Sequence, residues 1–179
     1  MSTSSPLTNV RAFSELRAFG ACIARTRRGH ALAVIAAVPG SPEEDKALRE
    51  GVYGEHVTCL FGGTRMSMPA VFARGAIAEG LLRSDGVPED YRLSAPTPAE
   101  AKDLHGVARC YTQGHRTEVQ TLLQTQAGSP EELKAVAALW EDFRVCMPGF
   151  NVRLNAPWIR FLLAEALLRL GPVTPGSGD

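Results

Sequence analysis

The chain has 179 residues, enough for one domain or for two small domains that share a core, and its apolar content is ordinary for a globular protein. It carries 19 acidic and 19 basic residues, so its net charge does not favour a nucleic-acid or an anionic-membrane partner. No apolar stretch approaches the length of a transmembrane helix. We therefore expect a globular chain that can bury a sizeable core.

Helical patterns follow one another along the chain. Apolar residues recur at helical spacing, as at Val34, Ile35 and Val38, and no segment alternates with the period of two that a half-buried strand requires. This pattern predicts an all-α protein. In chain order, the expected helices are 9–27, 30–38, 42–60, 68–83, 97–113, 116–126, 130–146 and 156–170. Gly29 and Gly114 either break the first segment of each half or lie within one bent helix.

Several helices begin at recognisable start signals. In residues 41–44, Ser-Pro-Glu-Glu, the serine can cap backbone N–H groups, the proline fits the first turn, and the second glutamate completes a capping box. Residues 129–132 repeat this sequence, and residues 97–100, Thr-Pro-Ala-Glu, have the same form. Further candidate caps are Asn9, Ser67 and Asn155.

The second half of the chain repeats the first. The clearest block is GSPEEDKA at 40–47, which returns as GSPEELKA at 128–135, an offset of 88. With slips of one or two residues, four other blocks align in the same order: Cys22 with Cys110, Cys59 with Cys146, RMSMP (65–69) with RLNAP (153–157), and AEGLLR (78–83) with AEALLR (164–169). We predict a tandem duplication of a three- to four-helix unit, packed with pseudo-twofold symmetry.

The repeat sets the expected organisation. We predict a disordered leader at 1–8, helical unit 1 at 9–83, a linker at 84–96, helical unit 2 at 97–170 and a Pro/Gly/Ser-rich disordered tail at 171–179. The leader has neither the charged nor the apolar region of a signal peptide, so an export signal is not evident as written.

The four cysteines follow the duplication. Cys22 lies 18 residues before Gly40 and Cys59 lies 19 after it, and both intervals around Gly128 are 18. A chain that folds back at these glycines brings each pair to one level of a helical hairpin, which predicts the disulfides Cys22–Cys59 and Cys110–Cys146. Each would close a loop of some 37 residues and contribute roughly 4 kcal/mol.

Two other interpretations of the cysteines stay open. In one, the cysteines are buried thiols of a reduced protein. In the other, they bind a metal ion together with His56, His105 and His115. The histidines do not follow the duplication, since His56 aligns with Phe143 and His105 with Arg17, so we expect no metal and no cofactor. No closely spaced pair such as C-x-x-C suggests a thiol–disulfide enzyme. Disulfides would place the protein in an oxidising compartment, periplasmic or secreted, whereas reduced thiols would place it in the cytoplasm.

The layout resembles a group of small exported α-helical bacterial proteins of unknown function that carry a two-cysteine unit once or twice. The resemblance rests on the cysteine pairs, the P-G-S-P-E-E turn and the A-E-[AG]-L-L-R block. In unit 1 its residues are Cys22, 39–44, Cys59, Leu60 and 78–83; in unit 2 they are Cys110, 128–132, Cys146, Met147 and 164–169. It implies export and no particular activity.

No catalytic motif stands out in the sequence. Glu43, Glu44, Glu131 and Glu132 are two carboxylate pairs, but their position in the first turn of a helix favours a role in capping and in the helix dipole rather than in acid–base catalysis. The segment FGGTR (61–65) is interpreted as a helix-ending turn. Trp140 and Trp158 occur only in the second half, near Phe143, Phe150 and Phe161, and are interpreted as core residues.

Basic residues supply the only candidate contact sites. The cluster RTRRGH contains Arg25, Arg27 and Arg28, which would grip an anion or an acidic partner if they are free, although a solvated helix end is the simpler interpretation. Arg65 and Arg153 recur before the last helix of each half and are candidates for binding helix carbonyls or a repeated ligand.

These observations favour a non-catalytic binding or structural protein with a protein partner, such as an accessory subunit of an envelope or extracellular assembly. One alternative is a cytoplasmic helical regulator with reduced cysteines that contacts nucleic acid through its arginines. The other is an enzyme whose site lies between the two units.

Overall fold

The structure, a computed structural model, describes residues 10–53, 58–59 and 68–171. Within this part the chain forms one short 3-10 helix at Glu89–Tyr91, eight α-helices and no strand, in agreement with the all-α prediction. The helices are α1 (Val10–Thr26), α2 (Arg28–Ala36), α3 (Pro42–Gly51), α4 (Ala70–Leu82), α5 (Leu104–Gly114), α6 (Arg116–Gln124), α7 (Pro130–Val145) and α8 (Ala156–Leu170). None of the helices described is long and apolar enough to span a membrane.

The last helix of each half forms the centre of the molecule. α4 packs against α8, α1 packs along α4, and α5 packs along α8. The hairpins α2–α3 and α6–α7 lie outside this layer, with α2 contacting α4 and α6 contacting α8. The central helices are consequently buried on almost every face, over residues 72–81 and 159–169. A helix in such a place must enclose any charged side chain that it carries.

Small residues allow the central helices to come close. A methyl group at Gly75 of α4 would overlap Phe161 of α8, and one at Gly20 of α1 would overlap Ala76 of α4. The closely packed layer therefore depends on the absence of a side chain at both positions.

The aromatic residues of the second half lie in two separate groups. Phe72 of α4 contacts both Trp158 and Phe161, with ring centroids 5.0 and 5.6 Å apart. Trp140 stacks beside Phe143 at 6.0 Å in the outer hairpin. Phe143 and Phe161 are fully buried, and Phe150 and both tryptophans are partly buried against the core, as the core interpretation expects.

The third helix of the first half is shorter than predicted. It was expected over 42–60, but α3 ends at Gly51, where the N–H groups of Val52 and Tyr53 both bond to the carbonyl of Leu48. Gly51 lies against His30, whose Cβ would be 2.5 Å from a methyl group there. Glycine both weakens the helix and makes room for this ring.

The first helix of the second half begins later than predicted. Thr97 and Glu100 form the expected contacts, with the Thr97 N–H 2.9 Å from the Glu100 carboxylate, but they close only an isolated turn. Asp103 then adopts extended backbone and caps α5, accepting from the Gly106 N–H at 2.7 Å. The start of α5 is therefore set by Asp103, whose side chain caps the helix that carries the apolar face.

The first segment of each half is broken, although not at Gly29. In the first half α1 ends and α2 begins around Arg27, and in the second the break between α5 and α6 is at His115, directly after Gly114. Three further start signals are confirmed, since the side chains of Ser41, Ser129 and Asn155 cap α3, α7 and α8. The candidate caps Asn9 and Ser67 lie outside the described residues.

Both predicted cysteine pairs are at disulfide-bonding distance. The Cα atoms are 5.6 Å apart in Cys22–Cys59 and 5.9 Å apart in Cys110–Cys146, within the normal range. No free cysteine is found in the described part of the chain, which contains all four. Cys22–Cys59 ties α1 to the segment after α3, and Cys110–Cys146 ties α5 to the end of α7. Such pairing fits an oxidising environment.

The unit boundaries and the duplication itself stay predictions. The proposed linker at 84–96 contains the 3-10 helix, and its Leu93 N–H donates to the carbonyl of Arg169 at 2.8 Å, so part of it packs on α8. The leader at 1–8 and almost all of the tail lie outside the described residues.

Candidate functional site

The centre of the molecule contains charged residues that the sequence analysis did not single out. Arg74 of α4 is 1% exposed. Its guanidinium donates to the carboxylates of Glu44, at 3.0 Å, and of Glu165 in α8, at 3.0 Å through Nε. It also donates to the carbonyls of Val34, Ile35 and Ala37, at 2.7, 3.2 and 3.0 Å.

Arg160 of α8 makes the corresponding contacts in the second half. It is fully buried and donates to Glu132 at 2.7 Å and to Glu79 of α4 at 2.8 Å. Its other partners are the carbonyls of Leu122, Leu123 and Thr125, at 3.3, 2.9 and 3.2 Å. These three positions align with Val34, Ile35 and Ala37 at the offset of 88.

Each arginine therefore performs two tasks. It supplies positive charge and donors to the last carbonyls of α2 or α6, which have no partner within their own helix. It also joins the two halves, because Arg74 reaches a glutamate of α8 and Arg160 reaches a glutamate of α4. We call this set the reciprocal network: Glu44, Arg74, Glu79, Glu132, Arg160 and Glu165.

The environment of Glu79 and Glu165 favours their charged form. Burial alone would raise the pKa of Glu79, but hydrogen bonds and charge from Arg160 and Arg17 outweigh it and the pKa lies below its usual value. The same balance holds the pKa of Glu165 well below its usual range. His105 Nδ1 lies 3.2 Å from Glu165 but is poorly directed for a hydrogen bond, so we assign most of this effect to Arg74.

The two predicted carboxylate pairs are divided between surface and core. Glu43 and Glu131 are exposed, whereas Glu44 and Glu132 are buried. One carboxylate oxygen of each buried glutamate accepts from a backbone N–H, of Gly40 at 2.8 Å or of Gly128 at 2.7 Å, and the other meets the arginine. Their helix-start role thus includes a second task, that of a buried ion-pair partner.

The basic cluster near the end of α1 is only partly available to a ligand. Arg28 donates to the carbonyl of Gly86 at 2.8 Å, and Arg27 lies 3.1 Å from His30 Nε2. Arg25 is exposed, and so is Arg153, which forms no hydrogen bond with a residue that the structure describes. Arg65 lies outside the described residues. The structure does not bring the four described arginines together into one site.

A cavity of about 340 Å³ opens between the two halves, at the carboxyl ends of α4 and α8. It contains two arginines whose groups are partly engaged: Arg116 donates to the carbonyl of Gly171, and Arg92 pairs with Glu89. Its lining residues are Leu82, Asp85, Gly86, Val87, Arg92, Arg116, Gln120, Leu167, Leu168 and Gly171.

A second cavity, of about 410 Å³, belongs to the second half alone. It lies between α6 and α7 and reaches α5. Its lining residues are Tyr111, His115, Thr117, Glu118, Thr121, Ala135, Ala138, Leu139 and Asp142. We call it the α6–α7 cavity.

The histidines considered as metal ligands do not converge. His105 lies beside Glu165 in the core and His115 lines the α6–α7 cavity, whereas His56 is outside the described residues. Among described residues, no group of three or more His, Cys, Asp or Glu side chains is arranged to hold a metal ion.

Comparison with known proteins found no match: no protein-family model, no curated protein and no solved structure is similar to this chain. The resemblance to exported two-cysteine proteins therefore stays a prediction.

Proposed function

We propose that the protein is a non-catalytic binding protein of an oxidising compartment, periplasmic or secreted, with another protein as its partner. The proposal is supported above all by the use of its buried charges. In the described part of the chain, every buried Glu or Arg contacts an opposite charge or a helix-terminal carbonyl. Charges engaged in this way stabilise a fixed body and are not free to act on a substrate.

The cysteine pairs support the choice of compartment. Two bridges, one in each half, suit a small rigid body that must persist outside the reducing cytoplasm. The test is alkylation of protein taken from its native source, under denaturing but non-reducing conditions, followed by mass spectrometry. We expect no labelled thiol before reduction and four after it. Four labelled thiols before reduction would contradict the assigned compartment.

The binding function is tested by cross-linking in the native source and reconstitution from purified components. We expect a defined protein to form a saturable complex that survives physiological salt. The matched control is the same protein reduced and alkylated, which we expect to bind more weakly because its two halves are less rigid. Failure of any reconstituted complex to form would contradict the proposal.

One observation favours an enzyme as the second candidate. The cavity between the halves contains Arg92 and Arg116, and two guanidinium groups in a cleft suit an anionic substrate. Turnover of such a substrate that is lost in Arg92→Gln and Arg116→Gln variants, and retained in Arg153→Gln, would favour this candidate over the first.

The structure offers less support for a nucleic-acid-binding regulator than for the two candidates above. Arg27 and Arg28, two of the three arginines that it needs, are engaged with His30 and Gly86, and the chain has equal numbers of acidic and basic residues. A steep loss of nucleic-acid affinity with rising salt would be its signature.

A further inference from the structure

The α6–α7 cavity has a fixed polar wall. The carbonyl of Tyr111 can only accept, so the contact of 2.9 Å with His115 Nδ1 places the ring proton on Nδ1. His115 Nε2 is thereby left on the other side of the ring, 3.6 Å from the Oδ2 atom of Asp142. Both groups line the cavity.

Tyr111 adds a hydroxyl group to the side chains that line the cavity. The residue is 1% exposed, its ring stacks on His115 with centroids 4.2 Å apart, and it lines the cavity. No described residue forms a hydrogen bond with its hydroxyl. Burial, with Glu118 and Asp142, raises the pKa of Tyr111 to about 12, so the hydroxyl keeps its proton at neutral pH. A hydroxyl without a partner among the described residues, on an otherwise buried side chain, is a position that a ligand can satisfy.

The charge and shape of the cavity specify the kind of ligand. Glu118 and Asp142 are the acidic residues of the lining, and none of the nine lining residues is Lys or Arg. Ala135 and Leu139 supply apolar surface on the α7 side. Carboxylates beside an apolar wall and a neutral hydroxyl favour a cation on an apolar stem over an anion.

The corresponding place in the first half is filled. At the offset of 88, Glu118 aligns with His30 and Leu139 aligns with Gly51. His30 packs directly on Gly51 and contacts Arg27, which aligns with His115. These residues therefore differ between the halves, and those of the second half line the α6–α7 cavity.

We propose that the α6–α7 cavity binds a primary ammonium group on a short apolar stem. The ammonium donates to Glu118, Asp142 and the Tyr111 hydroxyl, and the stem lies against Ala135 and Leu139. The source is a lysine side chain of a partner protein or a free small amine. The inference rests on the proposed binding function and names the class of group that is bound.

The test is a titration of the full chain, with its disulfides intact, followed by ¹H–¹⁵N NMR. Nα-acetyl-lysine N-methylamide represents the partner side chain, 1,4-diaminobutane represents the free amine, and Nα-acetyl-norleucine N-methylamide is the neutral control. We expect saturable shifts in residues 111–121 and 135–142 with an amine and none with the control. The better-bound amine identifies the source.

Variants decide whether the cavity is responsible. Glu118 and Asp142 are exposed, so Glu118→Gln with Asp142→Asn should leave the fold intact and weaken amine binding at least about tenfold. Tyr111→Phe keeps the ring and should weaken it about fivefold. The matched control, Glu141→Gln, changes a neighbouring exposed carboxylate outside the lining and should bind as the wild type does.

Three results would overturn the inference: no saturable shift with either amine, equal binding of the norleucine control, or undiminished binding in the double variant. The proposed binding function is judged separately. If neither amine binds the cavity while a reconstituted protein partner still forms a saturable complex, this inference fails and the binding function stands.

Discussion

Replacement of Arg74 by methionine is the sharpest perturbation of the reciprocal network. Methionine preserves much of the buried volume but removes the guanidinium from the carboxylates of Glu44 and Glu165. Three carbonyls of α2 lose a donor in the same step. Breaking a buried ion pair on one side costs about 3–5 kcal/mol, because the other charge stays buried without compensation.

The two arginines should not be equally sensitive. After Arg160→Met, Glu79 keeps Arg17 at 2.6 Å and Arg83 at 2.8 Å. After Arg74→Met, Glu165 keeps, among the described residues, the poorly directed contact with His105 at 3.2 Å and the charge of Arg169, to which it forms no ion pair. We therefore expect Arg74→Met to be the more destabilising of the two, by about 1 kcal/mol.

The assay is urea unfolding at pH 7 with the disulfides intact, followed by far-ultraviolet circular dichroism. With a slope of roughly 2 kcal/mol per molar urea, a loss of about 4 kcal/mol lowers the midpoint by about 2 M. The matched control is Arg144→Met, since Arg144 is exposed and its surface pair with Glu141, at 3.6 Å, is worth about 1 kcal/mol at most.

Two results would refute this reasoning. One is an Arg74→Met protein whose stability lies within about 1 kcal/mol of the Arg144→Met protein. The other comes from a double variant. Adding Glu165→Gln to Arg74→Met should recover part of the lost free energy of unfolding, because it removes the unpaired carboxylate charge. A further full loss of stability in the double variant would contradict the assigned pairing.

Three other predictions follow. The pKa values of Glu79 and Glu165 are depressed in the folded protein, so the stability that these carboxylates contribute is present above their unfolded pKa of about 4.3 and is lost as the pH falls below it. The urea midpoint should therefore be constant near neutrality and decline below about pH 5. A midpoint as high at pH 3 as at pH 7 would contradict this prediction. Reduction of both disulfides should lower the free energy of unfolding by up to roughly 4 kcal/mol per bridge, and unchanged thermal unfolding in reductant would count against the pairing. Gly75→Ala should destabilise the protein by about 1–3 kcal/mol, because the added methyl group overlaps Phe161. Gly29→Ala, a helical position with open space around it, should stabilise the protein by up to about 1 kcal/mol. A change of the same sign in both variants would refute the packing argument.

Local chemistry predicted much of the fold. Ser41 and Ser129 begin helices because a serine oxygen and the following proline act within one turn, and such signals are independent of the rest of the chain. The expected cysteine pairing also agrees with the structure, because it was the pairing that respects the repeat. The helical hairpin assumed for it does not form, since a helix break separates Cys22 and Cys110 from the turn and α3 ends before Cys59.

Tertiary contacts decided what spacing did not predict. α3 ends at Gly51 because His30 packs there, and α5 starts at Asp103 because a second cap follows the first turn. Neither competition is visible in a helical pattern, which reports where a helix is permitted rather than which of two starts or ends prevails.

The reciprocal network was missed although a signal existed. Arg74 aligns with Arg160, and Glu79 with Glu165, in the most apolar helices of the chain. A charged residue that recurs within an apolar helix of both halves predicts a buried ion pair. Its partner in the other half depends on the packing of α4 on α8, which no single-sequence pattern reports. The α6–α7 cavity was hidden for a related reason, because it arises where the halves differ.

The central claim is that the two halves form one cooperative body through the reciprocal network. Native-state hydrogen exchange tests it most directly, by comparing amides at the centres of α4 and α8 in the wild type and in Arg74→Met. We expect both helices to exchange through the same global opening, and the substitution in α4 to lower the protection of α4 and α8 equally. If α8 keeps its wild-type protection while α4 loses its own, the halves are independent and the claim is wrong.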